Sequence, residues 1–195
     1  MYEPLFAYFE RSFKLSDEDK VVVKKVIVPK TLKKGEFFQR QGEVARLGAF
    51  VSKGFLRSYV IDNKGKEHIV QFAPENWWIS DKLGMSKDAP ATYFIDAIED
   101  SELLTTDMQG HLTMLQKIPG YAGSFQKGMQ KRTAAKDIRI VHSLTSTAEE
   151  RYNDFLVTYP TIAQRVPQHM LASYLGITPE TLSRIRKAQS KGIGK

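Results

Sequence analysis

The hydrophobic pattern of the chain changes its period near Asp107, and this change most constrains the fold. From Val26 to Asp107, short runs rich in β-branched and aromatic residues alternate with turn signals such as Lys53-Gly54. Strands at intervals of about 8–12 residues with such turns are typical of an all-β sandwich or barrel. After Asp107 the apolar spacing becomes helical. We therefore expect an α+β chain in which a β domain precedes a helical part.

The β region contains seven candidate strands and one clear hairpin signal. The hairpin signal is Asp62-Asn63-Lys64-Gly65, between two alternating runs. Two short helices are expected before the strands, one over Tyr2–Phe13 and one capped by Ser16. The candidate strands are Val26–Val28, Phe37–Phe38, Ala49–Val51, Leu56–Ile61, His68–Phe72, Tyr93–Ile98 and Leu103–Thr105.

A proline-free stretch predicts one long helix from Tyr121 to about Leu144, after a short helix over Met108–Lys117. At 1.5 Å per residue the long helix spans roughly 36 Å, which exceeds what a small β domain covers. Burial against a second subunit is the favoured interpretation, and packing within one chain is the alternative. Four apolar residues lie near one stripe of this helix: Phe125, Met129, Ile140 and Leu144.

The segment from Gln168 to Lys187 is typical of a helix-turn-helix, although an ordinary helical hairpin is the alternative. Gly176 permits the positive φ of a sharp turn, and Thr178 can cap the second helix. A hinge is predicted before this unit, over Ser143–Thr147, where Thr147 can cap a new helix. The predicted miniature core comprises Leu171, Ala172, Leu175, Ile177, Leu182 and Ile185.

The outward face of the second helix carries candidate DNA contacts. Arg184 has the geometry for a bidentate contact with guanine, and Glu180 can accept from the cytosine amine. The other polar side chains are assigned to the phosphate backbone, which positions a protein without specifying sequence. The predicted backbone contacts are Thr178, Thr181, Ser183, Arg186 and Lys187.

Charge and composition narrow the function classes. The net charge is +7, and residues 161–195 hold six basic residues against one acidic residue. This indicates a polyanionic partner, with a solvated basic tail as the alternative. The chain has no cysteine, which excludes disulfides, iron–sulfur clusters and zinc–thiolate sites. We expect no signal peptide, no membrane association and a cytoplasmic location.

Several segments together resemble the Crp/Fnr family of catabolite-activator and fumarate–nitrate-reductase regulators, over nearly the whole chain. They are Leu32–Phe38, Gln41-Gly42, Lys53–Tyr59, Asp62–Glu67, Glu150–Tyr152, Arg165–Pro167 and Leu175–Arg184. The resemblance implies a β-roll sensor domain of the double-stranded β-helix or jelly-roll type, a long dimerisation helix and a C-terminal helix-turn-helix. It also implies a homodimer joined along Tyr121–Leu144, with Glu180 and Arg184 reading bases.

The expected domain boundaries are 1–118 for the cyclic-nucleotide-binding-like β-roll with its flanking helices, 119–145 for the dimerisation helix and 146–195 for the helix-turn-helix. Two departures from the family pattern affect the DNA-binding half. Pro179 stands where family members often carry a third, basic reader. Gln189–Lys195 is too short for the β-hairpin wing that often follows, which leaves the basic tail as the contact with the DNA backbone.

The effector site departs further from the family pattern than the DNA-binding half does. Nucleotide-binding members hold the ribose with a glutamate after a Phe-Gly pair and the phosphate with an arginine about ten residues on. Here Asp81 stands near the glutamate position, and no arginine occurs between Arg57 and Arg132. Since a buried phosphate needs a paired cation, we predict no tight binding of cyclic AMP. The predicted effector pocket is Trp77, Trp78, Ser80, Asp81, Thr92 and Tyr93. The alternative is that these aromatic residues complete the core.

The predicted function is a dimeric, sequence-specific transcription regulator. The alternative is a sensor module that binds a small molecule or a protein without binding DNA. Because the chain has no Gly-rich phosphate loop, no nucleophile elbow and no metal-spaced His/Asp/Glu cluster, we expect neither an enzyme nor a metal site, and we predict no cofactor. The expected partners are double-stranded DNA with a palindromic operator, a second copy, RNA polymerase and an unidentified small-molecule effector.

Overall fold

The computed structural model describes residues 1–81 and 89–192. The chain forms two compact units. The N-terminal unit comprises Met1–Val60 with Gln71–Gln130, and the C-terminal unit comprises Ile61–Val70 with Lys131–Lys195. The tip of one β-hairpin therefore belongs with the C-terminal helices, although the strands that lead to it run into the N-terminal unit.

Eight described strands form two four-stranded sheets. The first sheet has the order β1-β8-β3-β6 and the second has the order β2-β7-β4-β5. All the strand pairs with a described register are antiparallel. The strands are β1 Val28–Leu32, β2 Phe37–Gln39, β3 Gly48–Lys53, β4 Leu56–Ile61, β5 Glu67–Ala73, β6 Trp78–Ile79, β7 Phe94–Ala97 and β8 Ser101–Thr106. The predicted β-roll is confirmed.

Alternation along the strands divides the N-terminal unit into two cores. On β3, Ala49 and Val51 face the core between the two sheets, whereas Phe50 belongs to a second core on the other side. This follows from the period of two of a β-strand. The core between the sheets is formed by Leu32, Ala49, Val51, Leu56, Ala73, Ile79, Ile95, Ala97 and Leu103, with Phe38 and Trp77 packed against it.

Among the described residues, three helices accompany the sheets: α1 Glu3–Glu10, α2 Asp17–Val26 and α3 Met108–Lys117. Ser16 caps α2 as predicted, because its hydroxyl accepts from the Asp19 amide at 3.1 Å and the Asp19 carboxylate accepts from the Ser16 amide at 3.0 Å. The helices contribute to the second core, which contains Leu5, Phe6, Phe9, Leu15, Val23, Ile27, Phe50, Leu104, Met114, Ile118 and Tyr121.

Some boundaries predicted from the sequence were wrong. Val26 ends α2 and does not begin a strand, because the capped helix continues until the Ile27 amide donates to the Val23 carbonyl at 2.9 Å. The first helix is shorter than Tyr2–Phe13. Strand β6 has only two residues, Trp78 and Ile79, which is too short for its pattern to show in the sequence.

The remaining helices lie after the roll. The long helix α4 spans Tyr121–Thr145, followed by α5 Ala148–Thr158, α6 Pro160–Arg165, α7 Gln168–Leu175 and α8 Pro179–Gly192. The predicted long helix and the break after it are confirmed. Thr147 caps α5 in a reciprocal pair with Glu150. Among the described helices, none is long and apolar enough to cross a membrane.

Two features of the N-terminal unit depend on close packing. Gly54 has φ +91°, and a Cβ there would lie 2.4 Å from the Asp100 carbonyl oxygen, so this turn excludes any side chain. Arg57 on β4 forms a buried, two-point ion pair with Asp96 on β7, with Nε–Oδ1 at 2.8 Å and Nη2–Oδ2 at 2.9 Å. Its guanidinium also stacks over Tyr59 at 4.3 Å.

Candidate nucleic-acid interface

A small apolar core holds α7 and α8 together. Leu171 and Leu175 on α7 are buried, as is Leu182 on α8, which has no exposed surface. Ile177 and Ile185 are half-buried. The predicted miniature core is therefore present, but it is larger than expected. Four residues of α5, α6 and the following loop are also buried in this unit: Tyr152, Phe155, Ile162 and Val166. The three-residue spacing of Tyr152 and Phe155 is the helical pattern from which their burial could have been predicted.

The turn between the two helices depends on Gly176. Its φ is +69°, in the left-handed region, and the Ile177 amide closes the turn on the Ala172 carbonyl at 3.0 Å. A Cβ at Gly176 would meet no atom within 4 Å. The backbone angle alone therefore accounts for the glycine.

The second helix, α8, begins with a side-chain cap. The Thr178 hydroxyl accepts from the Thr181 amide at 3.2 Å, as predicted for an N-cap. A hydrogen bond from the residue's own backbone, followed by one from the Thr178 side chain, holds the pKa of Glu180 below its ordinary value. The Glu180 carboxylate is therefore ionised at neutral pH, and it is fully exposed.

One face of α8 combines polar groups with exposure. Glu180, Ser183, Arg184 and Lys187 are exposed, and a rotation of 100° per residue places all four on the same side of the helix. Arg184 Nη2 donates to the Thr181 hydroxyl at 3.3 Å, which orients the guanidinium along this face. Arg186 is exposed on a different side, so the predicted set does not form a single surface.

The C-terminal end of α7 is tied to the residues around the break after α4. Arg151 on α5 donates through Nη1 to the Ser146 carbonyl at 2.6 Å and through Nε to the Leu175 carbonyl at 3.1 Å. The last carbonyls of a helix lack partners within it, and here an arginine supplies one. Sequence reasoning missed this contact, because nothing local links residue 151 to residue 175.

The second half of α4 carries an exposed apolar surface within the C-terminal unit. Leu144 is 80% exposed and Ile140 is 59% exposed. Phe125, nearer the start of the helix, is 39% exposed, and Met129 is half-buried. Three exposed apolar residues of the second half lie on one side of the helix and are called here the α4 stripe: Ile140, Val141 and Leu144. In water such a stripe is unfavourable unless another surface covers it.

The predicted effector residues are only partly brought together. The buried Asp81 carboxylate accepts a hydrogen bond from the Thr92 amide at 2.5 Å. Trp77 and Trp78 pack in different places: Trp77 lies against the core between the sheets and Trp78 against the second core. The Tyr93 carbonyl accepts from Gln39 Nε2 at 3.0 Å, and Ser80 is half-buried. Lys82 and Lys87, the first cations after Asp81 in the sequence, lie outside the described residues.

Comparison with known proteins identifies the N-terminal part. Residues 29–117, which include all eight strands except the first residue of β1, match the family model of the cyclic nucleotide-binding domain. The N-terminal part thus resembles a cyclic nucleotide-binding domain over these residues. A search of curated proteins found no match.

Solved structures extend the likeness to the helices that follow residues 29–117. A CooA mutant from Carboxydothermus hydrogenoformans has a TM-score of 0.75 at 19% identity, over 90% of this chain and 81% of that chain. A transcriptional regulator ascribed to the Crp/Fnr family, from Eubacterium rectale, gives 0.68 at 18%, over 91% and 85%. The Thermus thermophilus catabolite activator protein gives 0.58 at 19%, over 97% and 87%. The predicted Crp/Fnr fold is confirmed.

Proposed function

We propose that this chain is a dimeric, sequence-specific DNA-binding transcription regulator of the Crp/Fnr type. The observation that carries the proposal is the exposed face of α8. Leu182 is completely buried against the rest of the unit, and Glu180 and Arg184 lie fully outward on the other side. A short helix held in this way by its apolar side has the geometry of a major-groove reader.

Each side chain of that face has a chemical counterpart in DNA. Arg184 donates two parallel hydrogen bonds to the O6 and N7 atoms of guanine. The ionised Glu180 accepts from the amine of cytosine. Lys187 and Ser183 contact phosphate oxygens beside the groove, which fixes the register of the helix without adding sequence information. Arg186, Thr178 and Thr181 remain predicted backbone contacts.

The α4 stripe supports the dimer. Two copies that cover each other's Ile140 and Leu144 would remove apolar surface from water, at about 25 cal/mol for each Å². A two-fold dimer carries two copies of α8, so its operator is a palindrome with half-sites about 34 Å apart, one helical turn of DNA.

We propose that the effector of this cyclic nucleotide-binding domain is not cyclic AMP. The Asp81 carboxylate is buried and hydrogen-bonded to the Thr92 amide. No arginine occurs between Arg57 and Arg132 to pair with a buried phosphate, and nine apolar or small side chains fill the core between the sheets. An effector would act by shifting the population of two arrangements of the helix-turn-helix.

Base reading by Arg184 is tested by comparing two variants on the same DNA. Operators are first selected by the wild-type protein from random duplexes. Arg184→Ala should cost about 1–3 kcal/mol at one base position and relax specificity there. Arg184→Lys keeps the charge but loses the two-point geometry, so it should relax specificity almost as much. An equal loss on every sequence, with Arg184→Lys like the wild type, would assign Arg184 to the phosphates. Failure of the wild-type protein to bind any duplex at low salt would overturn the proposed function.

Dimerisation through the α4 stripe is tested by sedimentation. Leu144→Glu places a charge on the stripe and should yield monomers that bind a single half-site weakly. Val157→Glu is the matched control, since Val157 is 83% exposed and lies on α5. The proposal requires that only the first variant dissociates the dimer. If both variants remain dimeric, the α4 stripe is not the interface.

A further inference from the structure

The Ser173 hydroxyl on α7 contacts the first residues of strand β5 in the β4–β5 hairpin. Ser173 Oγ donates to the Glu67 carbonyl at 2.8 Å and accepts from the Ile69 amide at 3.0 Å. Strand β5 ends its sheet among the described strands, so these backbone groups lie on an edge. An edge strand needs partners for its backbone groups. Ser173 supplies both hydrogen bonds that one residue of a neighbouring strand would make.

Arg139 on α4 holds the next part of the same edge. Its Nη1 donates to the Val70 carbonyl at 2.7 Å, and its Nη2 donates to the Ile69 carbonyl at 3.0 Å. The same Nη2 donates to the Tyr174 carbonyl at 2.9 Å, and the guanidinium stacks over the Tyr174 ring at 4.0 Å. The planar fork of an arginine can serve several acceptors at once while its face stacks on a ring.

These contacts join three elements that are distant in the sequence. Bonds from Arg139 span 69 and 70 residues to the hairpin and 35 residues to α7. The two bonds of Ser173 span 104 and 106 residues. All the groups belong to the C-terminal unit. We call Arg139, Ser173 and the backbone of residues 67–70 the hairpin clasp.

The clasp acts on the helix that precedes the DNA reader. Ser173 and Tyr174 lie in the last turn of α7, directly before the Gly176 turn that leads into α8. Lys66 of the hairpin is close enough to α8 to help lower the pKa of Glu180. A change in the hairpin would therefore alter the surroundings of both the Gly176 turn and the first residues of α8.

We propose that Arg139 and Ser173 are positioning residues for DNA recognition: they fix the orientation of α7, and through it α8, on the β4–β5 hairpin without touching DNA. The inference rests on the proposed function. Its physical basis is that a palindrome requires a fixed direction of both recognition helices, whereas contacts with phosphate tolerate a range of directions. Loss of the clasp should therefore reduce selective binding and leave non-specific binding unchanged.

The test uses the full chain and duplexes selected by the wild-type protein. Arg139→Gln should weaken binding to the selected palindrome by about tenfold to a hundredfold, in line with lost hydrogen bonds from a charged group, and Ser173→Ala by up to about tenfold, in line with lost neutral hydrogen bonds. They should also bind well to operators whose half-sites are moved closer or further apart, which the wild type rejects. Affinity for random duplex at low salt should stay the same.

Three matched variants separate positioning from folding. Ser173→Thr keeps the hydroxyl and should restore the wild-type preference for half-site spacing. Arg139→Lys keeps the charge but not the fork, so it should lie between the wild type and Arg139→Gln. Lys136→Gln removes an exposed cation from the same helix and should behave as the wild type.

Amide hydrogen exchange without DNA provides a second measurement. In Arg139→Gln and Ser173→Ala, the Ile69 amide should exchange faster while the Leu182 amide keeps its protection, because α7 and α8 stay folded together. Unchanged exchange at Ile69 would show that the clasp does not exist in solution. If exchange rises at Ile69 but palindrome affinity and spacing preference do not change, or affinity increases, the positioning role is wrong. If the wild type binds no duplex, the proposed function fails and the positioning role fails with it.

Discussion

Two partly or fully buried arginines show how differently the two units are held together. Arg57 lies within one sheet of the N-terminal unit and meets a carboxylate, Asp96, on the neighbouring strand. Arg139 lies in the C-terminal unit and meets backbone carbonyls on a hairpin and on α7. The first contact joins strands that the sheet already aligns. The second joins elements that no ladder of hydrogen bonds connects.

The two arginines differ in how much free energy is lost when their contacts are broken. A buried carboxylate that loses its arginine is left charged in an apolar surrounding, which is strongly unfavourable. A carbonyl at a strand edge or helix end that loses its arginine is hydrated by water at a small net change in free energy. The Arg57 pair is therefore the costlier of the two to break, whereas the contacts of the hairpin clasp can be replaced in part by water.

The largest effect should follow from breaking the pair in the sheet. Asp96→Ala leaves the Arg57 guanidinium buried without a counter-charge, and we expect a loss of about 3–5 kcal/mol in the free energy of unfolding of the N-terminal unit. Urea denaturation measures it. The double variant Arg57→Met, Asp96→Leu is the control and should recover most of the loss. A loss below about 1 kcal/mol in Asp96→Ala, the usual range for a surface pair, would contradict a buried pair.

Two glycine substitutions, one in each unit, should reduce stability by less than the loss of Asp96 does. Gly54→Ala should cost about 2 kcal/mol or more, because the new methyl group meets the Asp100 carbonyl in addition to the positive φ. Gly176→Ala should cost roughly 1–2 kcal/mol, because only φ opposes it. Thermal unfolding of both variants checks the order. A larger loss at Gly176 would mean that the turn in the C-terminal unit is the more tightly packed of the two.

The smallest expected effect is the acid titration of Asp62 in the β4–β5 hairpin. Hydrogen bonds from His68 and then from the Lys66 and Lys64 amides lower the pKa of Asp62 from 3.8 to about 2. A lowered pKa means that this carboxylate stabilises the turn above pH 3.8 and that its contribution is lost as the pH falls through about 2. NMR titration of the Lys64 amide should report this pKa. Asp62→Asn should abolish the titration, and a midpoint near 3.8 would show that the turn is open.

Local signals explain which parts of the fold the sequence predicts. The strands of the roll, the long helix, the caps at Ser16 and Thr147 and the Gly176 turn each depend on residues within a few positions of one another. The outward direction of Glu180 and Arg184 follows from one helical period once Leu182 is placed inside. These features were therefore predictable from periodicity and turn chemistry.

The missed features depend on long-range or very short elements. The single-turn α6, Pro160–Arg165, has too few residues for a periodic signal. The contacts of Arg139 and Ser173 join side chains to backbone groups 35 to 106 residues away, and backbone groups leave no trace in the residue types of a sequence. For the same reason, the separation of Trp77 and Trp78 into two cores appears only in the folded chain.

The reciprocal cap at the start of α5 fixes the residue at which this helix begins. Thr147 Oγ1 accepts from the Glu150 amide at 3.2 Å, and the Glu150 carboxylate accepts from the Thr147 amide at 2.7 Å. Both partners lie within one helical turn, so α5 starts at the same residue regardless of what surrounds it. Reorientation of the helices beyond it would turn about the Ser146 backbone, without winding or unwinding of either helix.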